Sequence, residues 1–176
     1  MKKKNYNDHQ PSEHQEFINR HEIMEKIMPI VENTLMRYAF LPVEVDLAKE
    51  NHRWFLRIFI YAPEKSVTLD DCENISRSMS DFLDELIPFK FNLEVSSPGI
   101  ERKLKSDREY LIFKGKDILL KLKTPIDDDP DTNQIVVRIV DFDENEGLKV
   151  FLYKDKQEHL IKKEQIINAR LYSNEI

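Results

Sequence analysis

Between Leu93 and Arg102 the chain reads LEVSSPGIER, and the hydrophobic pattern changes class across those ten residues. Upstream, stretches of helical spacing take turns with short alternating stretches. Downstream, almost every apolar run alternates with period two and is closed by polar turn material. A helix buries a stripe and a strand buries one face, so a chain divided this way builds two packed units of different class. SSPG is the joint: Pro98 presets a turn, Gly99 supplies a positive φ, and Ser96 and Ser97 can bond the nearby backbone.

In the first part, Phe17, Met24, Ile27, Val31, Leu35 and Tyr38 recur near helical spacing, and Pro29 inside the run predicts a kink or a fresh helical start. VEVDL (43–47) and RWFLRIFIYA (53–62) flank the polar KENH and read as a hairpin, with Val43, Val45 and Leu47 on one face. Thr68 and Asp71 form a weakened capping box for a second helix. Leu69, Cys72, Ile75, Met79, Phe82, Leu83 and Leu86 make its apolar stripe, and Pro88 stops it before the strand KFNLEV (90–95). The order helix, two strands, helix, strand predicts an α+β domain over residues 17–98, behind a disordered tail over 1–16.

In the second part, Ser106 and Glu109 make a full capping box for a short helix that ends at Lys114-Gly115. DILLKLK (117–123), QIVVRIVDF (134–142), LKVFLY (148–153), EHLIKK (158–163) and a short final strand follow. Short strands with tight turns predict a small closed β-barrel over residues 99–176, because closure removes exposed edges.

Charge is segregated. The net charge is −6, yet Arg102 to Lys123 holds eight Lys or Arg against three Asp or Glu, leaving −11 for the remainder. The second helix carries Asp70, Asp71, Glu73, Asp81, Asp84 and Glu85 against Arg77 alone. Such separation suits binding surfaces, and long cations beside Tyr110 and Phe113 fit phosphate contact.

Catalysis finds no support in the motifs. SSPGI lacks the glycine-lined elbow of a serine nucleophile, and His159 is the one histidine beyond residue 52. With three glycines in all, the chain has no phosphate-cradling loop and no Gly-x-x-Gly clamp for RNA. His21, Glu22 and Glu25 spell HExxE, not the two-histidine zinc motif, and DDDPD (127–131) lacks the spacing of a calcium loop. Cys72, the single cysteine, reads as a buried structural thiol in a reducing cytoplasm. The aromatics Trp54, Phe55, Phe59 and Tyr61 read first as a core strand. No apolar stretch approaches the ~20 residues of a membrane span, and the basic start has no apolar segment behind it, so a cytoplasmic protein is expected.

DDCENISRSMSDFLD (70–84), NLEVSSPGIERKL (92–104), FKGKDILLKLKTPID (113–127) and IINARL (166–171) resemble the bacterial ribosome maturation factor RimP family. The glycine usual there after the first helix is absent from YAFLPVEV. The resemblance implies a KH-like α-β-β-α-β domain followed by an Sm-like, SH3-like barrel. It implies a non-enzymatic factor, without cofactor or metal, that binds the immature small ribosomal subunit. The partner class is a basic small-subunit ribosomal protein near the decoding centre, with ribosomal RNA in reach. Asp70, Asp71, Glu73, Ser97, Gly99, Arg102, Lys105 and Arg108 are the expected contact residues. A general RNA-binding regulator and an unrecognised hydrolase are the competing readings.

Overall fold

The computed structural model describes residues 13–126 and 130–173, with the side chains of 13–19 and of Asp131 outside that description. The expected tail therefore lies outside the described residues through residue 12, and Glu13 to Glu16 belong to the first helix. The fold divides into two compact units, one running through Ala62 and over Ser66–Ser96, the other taking Pro63–Lys65 and the chain from Ser97.

In the first unit, α1 (Glu13–Arg37) buries Ile23, Ile27, Val31 and Leu35, a stripe at four-residue intervals. The helix continues through Pro29 as one element. Pro29 and Glu25, whose carbonyl loses its donor, both lie on the exposed face, where water can replace the missing bond. Ala39 then takes φ +58, and Phe40 N donates to Leu35 O at 2.9 Å, so an alanine makes the left-handed stop that glycine makes more easily.

Strand β1 (Leu41–Glu50) pairs antiparallel with β2 (Arg53–Tyr61) across Asn51 and His52, both at positive φ as a two-residue hairpin turn requires. Helix α2 (Leu69–Leu86) carries the chain over to β3 (Phe91–Ser96), which runs parallel to β2, giving the order β1-β2-β3. Leu56, Ile58 and Ile60 of β2 pack with the α1 stripe and with Ile75, Met79 and Leu83 of α2 in one core. Both helices thus cover the same face. Trp54 stacks on Phe89 at 4.6 Å on that side, whereas Phe55, Arg57, Phe59 and Tyr61 alternate to the other.

The second unit opens with α3 (Asp107–Ile112), followed by β4 (Asp117–Leu122), β5 (Gln134–Asp143), β6 (Gly147–Leu152), β7 (Gln157–Ile161) and β8 (Ile166–Leu171). The five strands pair antiparallel in the order β7-β6-β5-β4-β8. Ile118, Leu120, Val137, Ile139, Leu148 and Val150 bury one face of the sheet, with Phe113 beyond the end of α3 and Tyr110 stacked on Phe142 at 5.2 Å. Gly147 is at φ +116, and a Cβ there would run into the carbonyl of Ile161.

The sheet is not the closed barrel that the strand pattern predicts and that the resemblance implies in Sm-like form. Closure would need β7 against the free edge of β8, and another segment occupies that edge. Lys103 bridges to Arg170, Leu104 N donates to Ala169 O at 2.9 Å, and Leu171 N donates to Arg102 O at 2.8 Å. The 3-10 turn Lys163–Gln165 between the two strands gives its last carbonyl to Lys123 N instead, at 2.8 Å. Edge protection is achieved by a strand-like cover, not by closure.

Candidate functional site

Helix α2 presents the acidic surface. Its start is held by a reciprocal cap: Asp71 N donates to Thr68 Oγ1 at 3.1 Å, while the Asp71 carboxylate accepts from Thr68 N at 3.1 Å and from the Thr68 hydroxyl at 2.7 Å. Asp71 is therefore a structural acid as well as a charged one. Asp70, Glu73, Asp81, Asp84 and Glu85 are exposed, and Glu73 pairs with Arg77 one turn on. Ser78 hydrogen-bonds the Tyr38 hydroxyl at 2.6 Å, tying α2 to the end of α1.

The buried stripe of α2 is narrower than its sequence suggests. Ile75, Met79 and Leu83 are buried, but Leu69 is 88% exposed and Phe82 57% exposed. Leu69 is the first residue of the helix, ahead of the turns that meet the sheet. Phe82 neighbours Leu83 in sequence and so points about a hundred degrees away from it. Apolar surface is thereby mixed into the acidic face. Cys72 is half-buried, and burial together with the neighbouring Asp71 carboxylate pushes its thiol up, away from thiolate chemistry.

The basic segment is divided between interior and surface. Arg102, expected among the outward cations, is buried: its Nε donates to Glu109 Oε2 at 2.8 Å and its Nη2 to Glu109 Oε1 at 3.1 Å, with the side chains only 6% and 2% exposed. Glu109 also accepts from Lys105 N at 3.3 Å. Its carboxylate is thus drawn away from the helix start, and Ser106 makes no side-chain cap. The full capping box read from the sequence does not form. Lys114 pairs with Asp141 at 3.1 Å, and Asp107 pairs with Lys163. Lys103, Lys105, Arg108 and Lys116 lie on the surface.

At the joint, Ser97 is exposed and Gly99 sits at φ +84, in open space and in a conformation that L side chains rarely adopt. Among the described residues the Ser96 and Ser97 side chains add no hydrogen bond to the turn, in which Gly99 follows Pro98 at positive φ. His21 and Glu25 of HExxE are exposed and 3.3 Å apart. Among the described residues no group of three or more His, Cys, Asp or Glu is placed to hold a metal ion, and residues 127–129 of DDDPD lie outside them. Among the described residues no helix is long and apolar enough to cross a membrane.

Sequence reasoning missed the Arg102–Glu109 pair because seven residues and a helix start separate the partners. A basic residue just before a buried helix turn was the available signal. Over residues 30–101 the chain matches the family model of the RimP N-terminal domain, which takes in the end of α1, the hairpin, α2, β3 and the SSPG joint.

Proposed function

We propose that this chain, whose residues 30–101 match the RimP N-terminal domain, acts as a RimP-family factor that binds the immature small ribosomal subunit and assists its assembly by occupancy. The observation that carries the reading is the family match, which spans the acidic helix and the joint. The match supports the non-catalytic role in ribosome biogenesis that the family resemblance implies. In this reading Asp70 and Glu73 meet a basic small-subunit ribosomal protein near the decoding centre. Complementary charge there speeds encounter and sets orientation more than it adds affinity. Lys105 and Arg108 meet ribosomal RNA, Arg102 holds their segment in place from the inside, Gly99 shapes the turn at the joint, and the exposed Ser97 beside it is a further contact.

Bound this way, the factor holds a protein–RNA junction in an assembly-competent arrangement and leaves when the mature subunit's own interactions displace it. Co-sedimentation with immature and with mature small subunits is the test. Preferential association with immature particles is expected; equal association, or none, refutes the reading.

A further inference from the structure

The outer face of the second unit's sheet is a surface that neither α2 nor the basic segment accounts for. Side chains alternate across a sheet, so the residues between the buried ones face outward. The pairing sets them in rows. Phe151, Arg138, Asp117 and Tyr172 stand side by side, the last tied in by Tyr172 N donating to Asp117 O at 2.9 Å. Val136, Leu119, Arg170 and Lys103 make the next row. Lys121, between Gln134 and Asn168, begins the third.

Within these rows Arg138, Arg170, Lys103 and Lys121 stand among carboxylates: Glu101 reaches Arg170 at 3.7 Å, Glu158, opposite Phe151, pairs with Lys149 at 2.9 Å, and Asp117 lies beside Arg138. The Asp117 carboxylate acts internally. It accepts from Arg138 Nε at 3.0 Å and from the Tyr153 hydroxyl at 2.6 Å. Arg138 lies 5.6 Å over the Tyr153 ring, and Phe151 packs edge-on to it at 5.5 Å. Tyr153 is held in place yet 42% exposed, and Tyr172 is 38% exposed. Val136, Arg138, Tyr153, Lys154 and Tyr172 line one shallow concavity with Asp117.

We propose that this face binds unpaired nucleotides of RNA, with bases stacking on Tyr153 and Tyr172 and phosphates following Arg138, Arg170, Lys103 and Lys121. Positioned aromatic rings on a sheet, flanked by cations, give single strands stacking and backbone attraction together. An acidic peptide would use the cations but has no planar group for the rings. The proposal goes beyond the subunit-binding reading and does not rest on it.

The test is fluorescence anisotropy of the full chain with labelled oligouridine, with an abasic oligonucleotide of the same charge, and with polyglutamate. Oligouridine should bind best. Tyr153→Ala and Tyr172→Ala should each weaken it by roughly tenfold, whereas Tyr153→Phe, which keeps the ring, retains most of the affinity. The joint change Lys121→Ala and Arg170→Ala should lower the salt slope by about 0.7 for each phosphate that those cations neutralise. Circular dichroism checks folding; should Tyr153→Ala unfold, Tyr172→Ala and the cation pair decide. Absence of oligouridine binding, equal binding of the abasic strand or polyglutamate, or indifference to both tyrosines would overturn the proposal. Subunit co-sedimentation is a separate readout, so failure of one leaves the other standing.

Discussion

The helix starts at Thr68 and Ser106 carry the same pairing of a hydroxyl residue with an acid three positions on, yet only the first becomes a cap. At Thr68 the partner is aspartate, the shorter and less favoured acid, and the reciprocal bonds form. At Ser106 the partner is glutamate, the better fit for the motif, and its carboxylate goes instead to Arg102. A local bond between exposed groups contributes about 1 kcal/mol. A buried guanidinium left without a partner costs several times that. Glu109 therefore turns to the guanidinium and leaves the helix start uncapped. The same contrast runs through the two charged regions: α2 keeps its carboxylates outward, while the basic segment turns one cation inward to anchor itself.

The sharpest way to break this contrast is Glu109→Gln. It removes the negative charge beside the buried Arg102, and stability should fall by about 3–5 kcal/mol. The joint change Arg102→Leu and Glu109→Leu should cost less than Glu109→Gln alone, since it removes both charges. Chemical denaturation of the three proteins decides. Equal destabilisation by the single and double changes would mean that the pair is not what holds the segment.

Tyr110 offers a second probe in the same unit. Burial, reinforced by Asp107 and Glu109, pushes its hydroxyl up to about 12. The folded pKa is raised above the unfolded value of 10.0, so its contribution is fully present below that value and is lost as pH rises toward about 12. Tyr110→Phe should flatten the fall of stability over that window, read from melts against pH. The smallest effect belongs to the first cap. Thr68→Ala should cost about 1 kcal/mol, whereas Ser106→Ala should cost little, because Ser106 makes no cap bond.

Most of the fold was legible in the residues. Stripes such as Ile27, Val31 and Leu35 and alternations such as Leu56, Ile58 and Ile60 carry their periods openly, so element order could be read from them. Barrel closure could not be read, because it depends on which segment takes the second edge of β8. Nothing in KDKQEHLIKK or IINARL shows that Lys103 will take it. The candidate surfaces were legible as charge. The burial of Arg102 was not, since a lysine-rich run does not reveal which cation faces inward. The aromatic platform was hidden for a related reason: Tyr153, Arg138, Asp117 and Tyr172 are far apart in the chain and meet only through strand register.

The central claim is that the acidic and basic surfaces engage different partners, and charge reversal tests it most directly. One variant carries Asp70→Lys, Glu73→Lys and Asp84→Lys, sparing the cap at Asp71; the other carries Lys105→Glu and Arg108→Glu, sparing the buried Arg102. Binding of both to an isolated basic small-subunit ribosomal protein and to immature subunits is measured across a salt series. The account predicts that the first variant binds the ribosomal protein more weakly, chiefly through slower association. The second keeps that binding and flattens the salt dependence of subunit binding, by up to about one for each phosphate it ceases to neutralise. Equal effects of both variants on both partners, or none on either, would contradict it.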